Sequence, residues 1–192
     1  MKKTVYLMRH GETLFNLRRR FQGWSDSPLT ELGVAQAQAM GRYIRERGLT
    51  FDHVYVSTSE RACDTLELMM DAPYTRLKAL KEWNFGWMEG EPLDLEPPPP
   101  YGDFFKLYYH GEGEDEVAQR MTDALQELLE RPGHQTVLAV SHGGSISCFY
   151  RKWAKNSPLK EVPHVTNCSL CRYAYENGEF YFEELVEVKL HP

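Results

Sequence analysis

The chain has no apolar run approaching the roughly 20 residues that a membrane-spanning helix requires. Its opening stretch, MKKTVYLMRHG, breaks off at Arg9 and His10 before a secretory h-region can form, so the cytoplasm is the expected compartment. Cysteine is scarce: Cys63, Cys148, Cys168 and Cys171, of which only the last two form a C-x-x-C. No second pair exists to complete a four-ligand zinc site, and in a strand that spacing sends the two side chains to opposite faces. Structural thiols are therefore expected. Charge of one sign is also weak, at a net −6. That argues against broad attraction to nucleic acid or to a membrane surface, and any anionic ligand must be held by a local cationic pocket. Repeats of solenoid length are absent.

The 192 residues, 42% hydrophobic and 26% charged, suit one globular domain spanning residues 1–192. "TVYLM" at 4–8 and "TVLAV" at 136–140 are continuous apolar runs, the pattern of strands covered on both faces, and "HVYVS" at 53–57 is a third strand. Between them, Pro28 and Thr30 announce a helix with Leu32, Ala35, Ala39 and Tyr43 at helical spacing, ending at Gly48. Ser59 is placed to cap a helix carrying Leu66, Met69 and Met70. Residues 114–131 align Val117, Met121, Ala124 and Leu128 on one stripe, and "GGSISCFYRKWA" is a further helix. Asn177-Gly178 between 169–175 and 179–188 signals a hairpin. Alternating strands and helices imply an α/β fold, a three-layer α/β/α sandwich with a mainly parallel sheet and an antiparallel edge strand. The segment 89–113, with "EPPPPYG", fits neither helix nor strand and reads as a long loop or lid.

Ligands of open parallel sheets bind beyond the carboxyl ends of the strands. Arg9-His10-Gly11, "SHGGS" at 141–145 and "STSERACDT" at 57–65 all lie at such exits. If those strands are close in the sheet, His10, His142, Arg9 and Arg61 converge with helix amides around them. Two guanidinium forks beside helix N-termini suit a tetrahedral dianion, and Gly11, Gly143 and Gly144 would let backbone approach it. A metal site built from His10, His142, Glu12 and Glu82 is chemically allowed, but Arg9 and Arg61 would repel the cation. No metal and no cofactor is expected.

The segments "RHGETLFN", "FQGWSDSPLTELGVAQA", "VSTSERACDT", "LKEWNFGWMEG" and "VSHGG" resemble the histidine phosphatase superfamily, also called the phosphoglycerate mutase-like family, in that family's order from Tyr6 to Gly144. The resemblance implies that His10 is the nucleophile and becomes a phosphohistidine. It places Arg9, Arg61 and His142 around the phosphoryl group and Glu82 as proton donor. Asn16, Gln22, Gly23 and the Gly143 amide match positions lining the phosphate pocket. Cys63 and Asp64 stand where relatives vary, and the 89–113 loop resembles no substrate-specific branch, which leaves the ester open.

His10 must be neutral to attack phosphorus, and neighbouring guanidinium groups favour that state. Arg9, Arg61 and a protonated His142 would then stabilise the charge of transfer, while Glu82 supplies and retrieves the leaving-group proton. A mutase has to retain a second anionic group. Between Trp83 and Glu116 Lys106 is the only Lys or Arg, against nine Asp/Glu, so a phosphomonoesterase of the histidine acid phosphatase type is favoured over a mutase or a non-catalytic phosphate-binding module. Tyr101, Phe104, Phe105, Leu107, Tyr108 and Tyr109 would either cover an organic moiety or pin the loop to the sheet. The expected partner is a small-molecule phosphate ester, with no nucleic acid or membrane; a homodimer stays open.

Overall fold

The computed structural model describes residues 2–159 and 161–190; residue 160 and the ends of the expected 1–192 domain lie outside them. Six strands form one sheet: β1 (Lys3–Arg9), β2 (His53–Ser57), β3 (Thr75–Leu77), β4 (Thr136–Ser141), β5 (Leu170–Glu176) and β6 (Glu179–Val186), in the order β3-β2-β4-β1-β5-β6. Pairings among β3, β2, β4 and β1 are parallel, while β5 runs antiparallel to β1 and β6 antiparallel to β5. The short β3 has no apolar alternation and escaped the sequence reading.

The helices are α1 (Leu14–Leu17), α2 (Glu31–Glu46), α3 (Glu60–Met69), α4 (Phe104–Tyr109), α5 (Glu114–Glu130) and α6 (Gly143–Trp153). Alternate strand residues feed two cores, as a sheet covered on both faces requires. Val5, Leu7, Val137 and Ala139 pack with Met121, Leu125, Ile146 and Phe149 of α5 and α6. Tyr6, Met8, Leu138 and Val140 pack with Met40, Ile44, Ala62 and Leu66 of α2 and α3. Cys171 falls in the first core and Cys168 in the second, and all four cysteines are buried free thiols. Burial pushes the Cys168 and Cys171 thiols up to about 12. At the hairpin, Asn177 and Gly178 both take positive φ, 53° and 79°, the geometry a two-residue turn between twisted strands demands.

Two expectations change. The buried residues of α2 are Gly33, Ala37, Ala39, Met40, Gly41 and Ile44; of the predicted stripe Ala39 is buried and Tyr43 packs against the core, while Leu32 is exposed, so the buried face is centred to one side of that stripe. The cause is close backbone packing: a Cβ on Gly33 would strike the Glu12 carbonyl, and one on Gly41 the Met69 carbonyl. Small residues, not large ones, thus mark the contact face. The 89–113 segment also contains real structure. Helix α4 buries Phe105 to 1% exposure among Phe21, Trp83 and Phe85, while Leu107 and Tyr108 face solvent.

Candidate active site

Strands β2, β4 and β1 are neighbours, so their carboxyl ends deliver Arg61, His142 and His10 to one place. The rings of His10 and His142 stand edge to face with centroids 5.1 Å apart. His10 lies in a cleft of about 510 Å³ whose lining also includes Arg9, Asn16, Gln22, Gly23, Arg61, Glu82 and Gly143. Every predicted site residue except His142 lines this cleft, and His142 packs directly behind His10.

His10 is buried, with Nδ1 2.7 Å from the Gly11 carbonyl and Nε2 3.2 Å from the Arg61 Nε. A carbonyl can only accept and a guanidinium can only donate. The two contacts together place the imidazole proton on Nδ1 and leave a lone pair on Nε2. Burial, followed by the charges of Arg61 and Arg9, holds the His10 pKa well below its ordinary 6.5. His142 is held down likewise, by burial, then Arg61 and His10, which favours its neutral form in the ligand-free site. Its Nε2 lies 2.8 Å from the Ser57 hydroxyl. Its Nδ1 and the Arg9 Nε are buried with no partner among the described residues.

Arg61, 1% exposed, is held by three acceptors besides His10: Nη2 donates to the Gly23 carbonyl at 2.8 Å, and Nη1 to the Ser25 carbonyl and the Asp26 carboxylate. Asp26 also accepts from the Glu60 amide at the start of α3. The Ser59 side chain makes no cap bond there, so the expected cap is replaced by a carboxylate from a distant loop.

Glu82 is buried against the N-terminus of α6. Its Oε1 accepts from the Trp83 amide, the Ser145 amide and the Ser145 hydroxyl, and its Oε2 from the Gly144 amide. From behind, Arg120 donates to the carbonyls of Ala79, Lys81 and Glu82 and pairs with Glu112 at 2.8 Å, fixing the backbone that carries this carboxyl. Thr13 opens α1 in a capping box with Asn16, whose Oδ1 also accepts from Asn167, and Gln22 accepts from the Thr13 hydroxyl.

The glycines differ from expectation. Space beside Gly11 is filled by the Gly33 carbonyl, beside Gly143 by the Arg9 guanidinium and beside Gly144 by Glu82. Their Cβ positions are taken by protein groups, while Gly143 and Gly144 themselves line the cleft. Glu12 turns away to accept from Thr30 at 2.7 Å, and the described residues contain no group of three or more His, Cys, Asp or Glu placed to share a metal ion. Sequence reasoning missed Arg20, Arg151 and His164, which line the outer cleft, and Asp26, Arg120 and Asn167, which position the inner one. The "RRR" run at 18–20 and an arginine two turns beyond Gly143 on one helix face were the available signals.

The probable phosphoglycerate mutase GpmB of Yersinia pestis is 35% identical, the match covering 91% of this chain and 86% of that protein. A crystal structure of phosphoglycerate mutase from Bacillus anthracis superposes with a TM-score of 0.78 at 27% identity, over 95% of this chain and 92% of that one. A putative alpha-ribazole-5'-P phosphatase from Escherichia coli does so with a TM-score of 0.74 at 26% identity, over 99% and 98%. Relatives thus include both phosphatases and mutases. No helix among the described residues is long and apolar enough to cross a membrane. Residues 5–188 match the family described as histidine phosphatase superfamily (branch 1), and the chain belongs to it.

Proposed function

We propose that the protein is a phosphomonoesterase that hydrolyses small-molecule phosphate esters through a phosphohistidine on His10. The observation that carries this reading is the protonation pattern of His10: Nδ1–H faces the Gly11 carbonyl and the Nε2 lone pair faces the cleft under Arg61. An imidazole so held is a nucleophile at neutral pH.

As the Nε2 lone pair bonds to phosphorus, the ester P–O bond breaks, and the Arg61 Nε–H passes from Nε2 to a phosphoryl oxygen. Arg9 Nε and His142 Nδ1, which lack partners, supply further donors to that group, and the dianion favours protonation of His142. Glu82 Oε1 already takes three donors and Oε2 one. Oε2 is therefore the oxygen with room for the proton that the leaving alkoxide needs. In the second step Oε2 takes a proton from water, the water oxygen bonds to phosphorus, and the N–P bond breaks to return the lone pair to Nε2.

A second reading, transfer to another hydroxyl as in a mutase, is favoured by Arg20 and Arg151, which line the outer cleft and add cations there, although Arg151 also pairs with Glu114. Incubation with p-nitrophenyl phosphate, and separately with 3-phosphoglycerate plus its bisphosphate, decides among the readings. Phosphate release alone marks the hydrolase, isomerised product the mutase, and silence in both a binding module.

A further inference from the structure

Asp26 pairs with Arg61 directly, and Glu89 supports it from outside the cleft through the backbone. The Glu89 carboxylate is not part of the cleft lining. Oε1 accepts from the Trp24 amide at 2.8 Å and the Phe85 amide at 3.3 Å, and Oε2 from the amide and hydroxyl of Ser25, both at 2.7 Å. The Trp24 N–H and the Gly23 C=O belong to one peptide unit, a planar plate with donor and acceptor pointing in opposite directions. Glu89 holds the N–H edge of that plate, and Arg61 Nη2 is held by its C=O edge at 2.8 Å. Ser25 adds a second link, across its Cα rather than through one peptide plane: its amide and hydroxyl bond Glu89, while its carbonyl bonds Arg61 Nη1.

Glu89 is itself fixed. Phe21 pairs with the two residues that follow Glu89, accepting from the Gly90 amide and donating to the Glu91 carbonyl. Gly23 has φ +55°, and a side chain there would collide with the Glu89 carboxylate, so glycine is required twice over at that position. Around His10 the charged and titratable groups are Arg61, Arg9 and the His142 ring, with Glu82 and Asp26 paired to their own donors.

We infer that Glu89 is a positioning residue for the nucleophile, acting through the Gly23–Ser25 loop to hold the Arg61 guanidinium against His10 Nε2. The inference rests on the phosphoryl-transfer reading, yet one of its readouts is independent of turnover. Without Glu89, three amides and a hydroxyl lose their acceptor, the loop relaxes, and Arg61 leaves the His10 ring.

The test is the full-length Glu89→Ala and Glu89→Gln variants, with near-ultraviolet circular dichroism as the folding control, in two measurements: NMR titration of the His10 imidazole, and kcat and KM for p-nitrophenyl phosphate. Deleting a negative charge by itself stabilises imidazolium less and moves the His10 titration down. Displacing Arg61 moves it up. The expected result is an upward movement in Glu89→Ala with a fall in kcat of roughly 10- to 100-fold, the cost of a small misplacement of reacting groups, and a smaller change in Glu89→Gln, which keeps one acceptor oxygen. A His10 titration that stays put or moves down in folded Glu89→Ala overturns the inference, as does activity within about twofold of wild type. Wild-type protein inert toward the ester sinks the hydrolase reading alone, and the imidazole titration still decides the role of Glu89.

Discussion

His10 and His142, carried by different strands, stand buried with ring centroids 5.1 Å apart. Burial first and Arg61 second oppose charge on both rings, and His10 further opposes it on His142. The stability consequence has a definite sign. Both folded-state pKa values lie below the ordinary 6.5, so between those values the unfolded chain binds more protons than the folded one and stability rises with pH. The contribution is complete above about 6.5 and is lost as pH falls from there toward the depressed values. Thermal unfolding followed from pH 8 to pH 5 should show a falling midpoint, and the fall should be shallower in a His10→Ala, His142→Ala double variant. Equal slopes in both proteins would assign the acid sensitivity to other groups.

His10→Ala should abolish turnover. Rapid acid-free quenching of wild type during hydrolysis of a radiolabelled ester should reveal a phosphoryl adduct that is stable to base, labile to acid and located at residue 10. An adduct found at His142 instead would reverse the assigned roles, since the two rings are near enough to be confused by proximity alone.

Glu82 is predicted to act on the leaving group and on water, so Glu82→Gln should depend on the ester. Alkyl phosphates, whose alkoxides need the proton, should slow by roughly 100-fold or more, whereas p-nitrophenyl phosphate should slow far less in its first step. Comparison of kcat/KM for the two esters in both proteins reads this directly. An equal loss on both would assign Glu82 to anchoring α6 through Gly144 and Ser145 rather than to proton transfer.

Strands β1 and β4 were legible because both faces are covered, which turns them into unbroken apolar runs ending in Arg9-His10 and Ser141-His142. Their adjacency was the unproved step; the parallel register Arg9 to Ser141 supplies it. What stayed hidden were groups acting through backbone. Glu89, Asp26 and Arg120 hold amides and carbonyls of other segments, and no periodicity records which peptide a charged side chain will reach. The α2 face was misjudged for a related reason: burial there is won by the absence of side chains at Gly33 and Gly41, while hydrophobic spacing registers only their presence. The cations of the outer cleft were hidden because Arg20 and Arg151 come from segments remote from the 83–116 loop in sequence and meet it only in the fold.

The aromatic loop offers the sharpest contrast between residues of one short helix. Phe105 is 1% exposed and packs against Phe85 at 4.8 Å, Trp83 at 5.5 Å and Phe21 at 5.8 Å between ring centroids. Tyr108, three positions on, is 67% exposed. Phe105→Ala should therefore cost about 3–5 kcal/mol in urea unfolding, and Tyr108→Ala should stay within about 0.5 kcal/mol. Because Phe21 adjoins Gln22 and Gly23, and Trp83 adjoins Glu82, the Phe105 cavity also loosens both walls of the cleft. KM for p-nitrophenyl phosphate should rise at temperatures where the variant remains folded. If Phe105→Ala unfolds at the wild-type urea midpoint, α4 does not pin the loop to the sheet, and Leu93, Glu96 and Tyr101 are left as the loop residues that line the cleft.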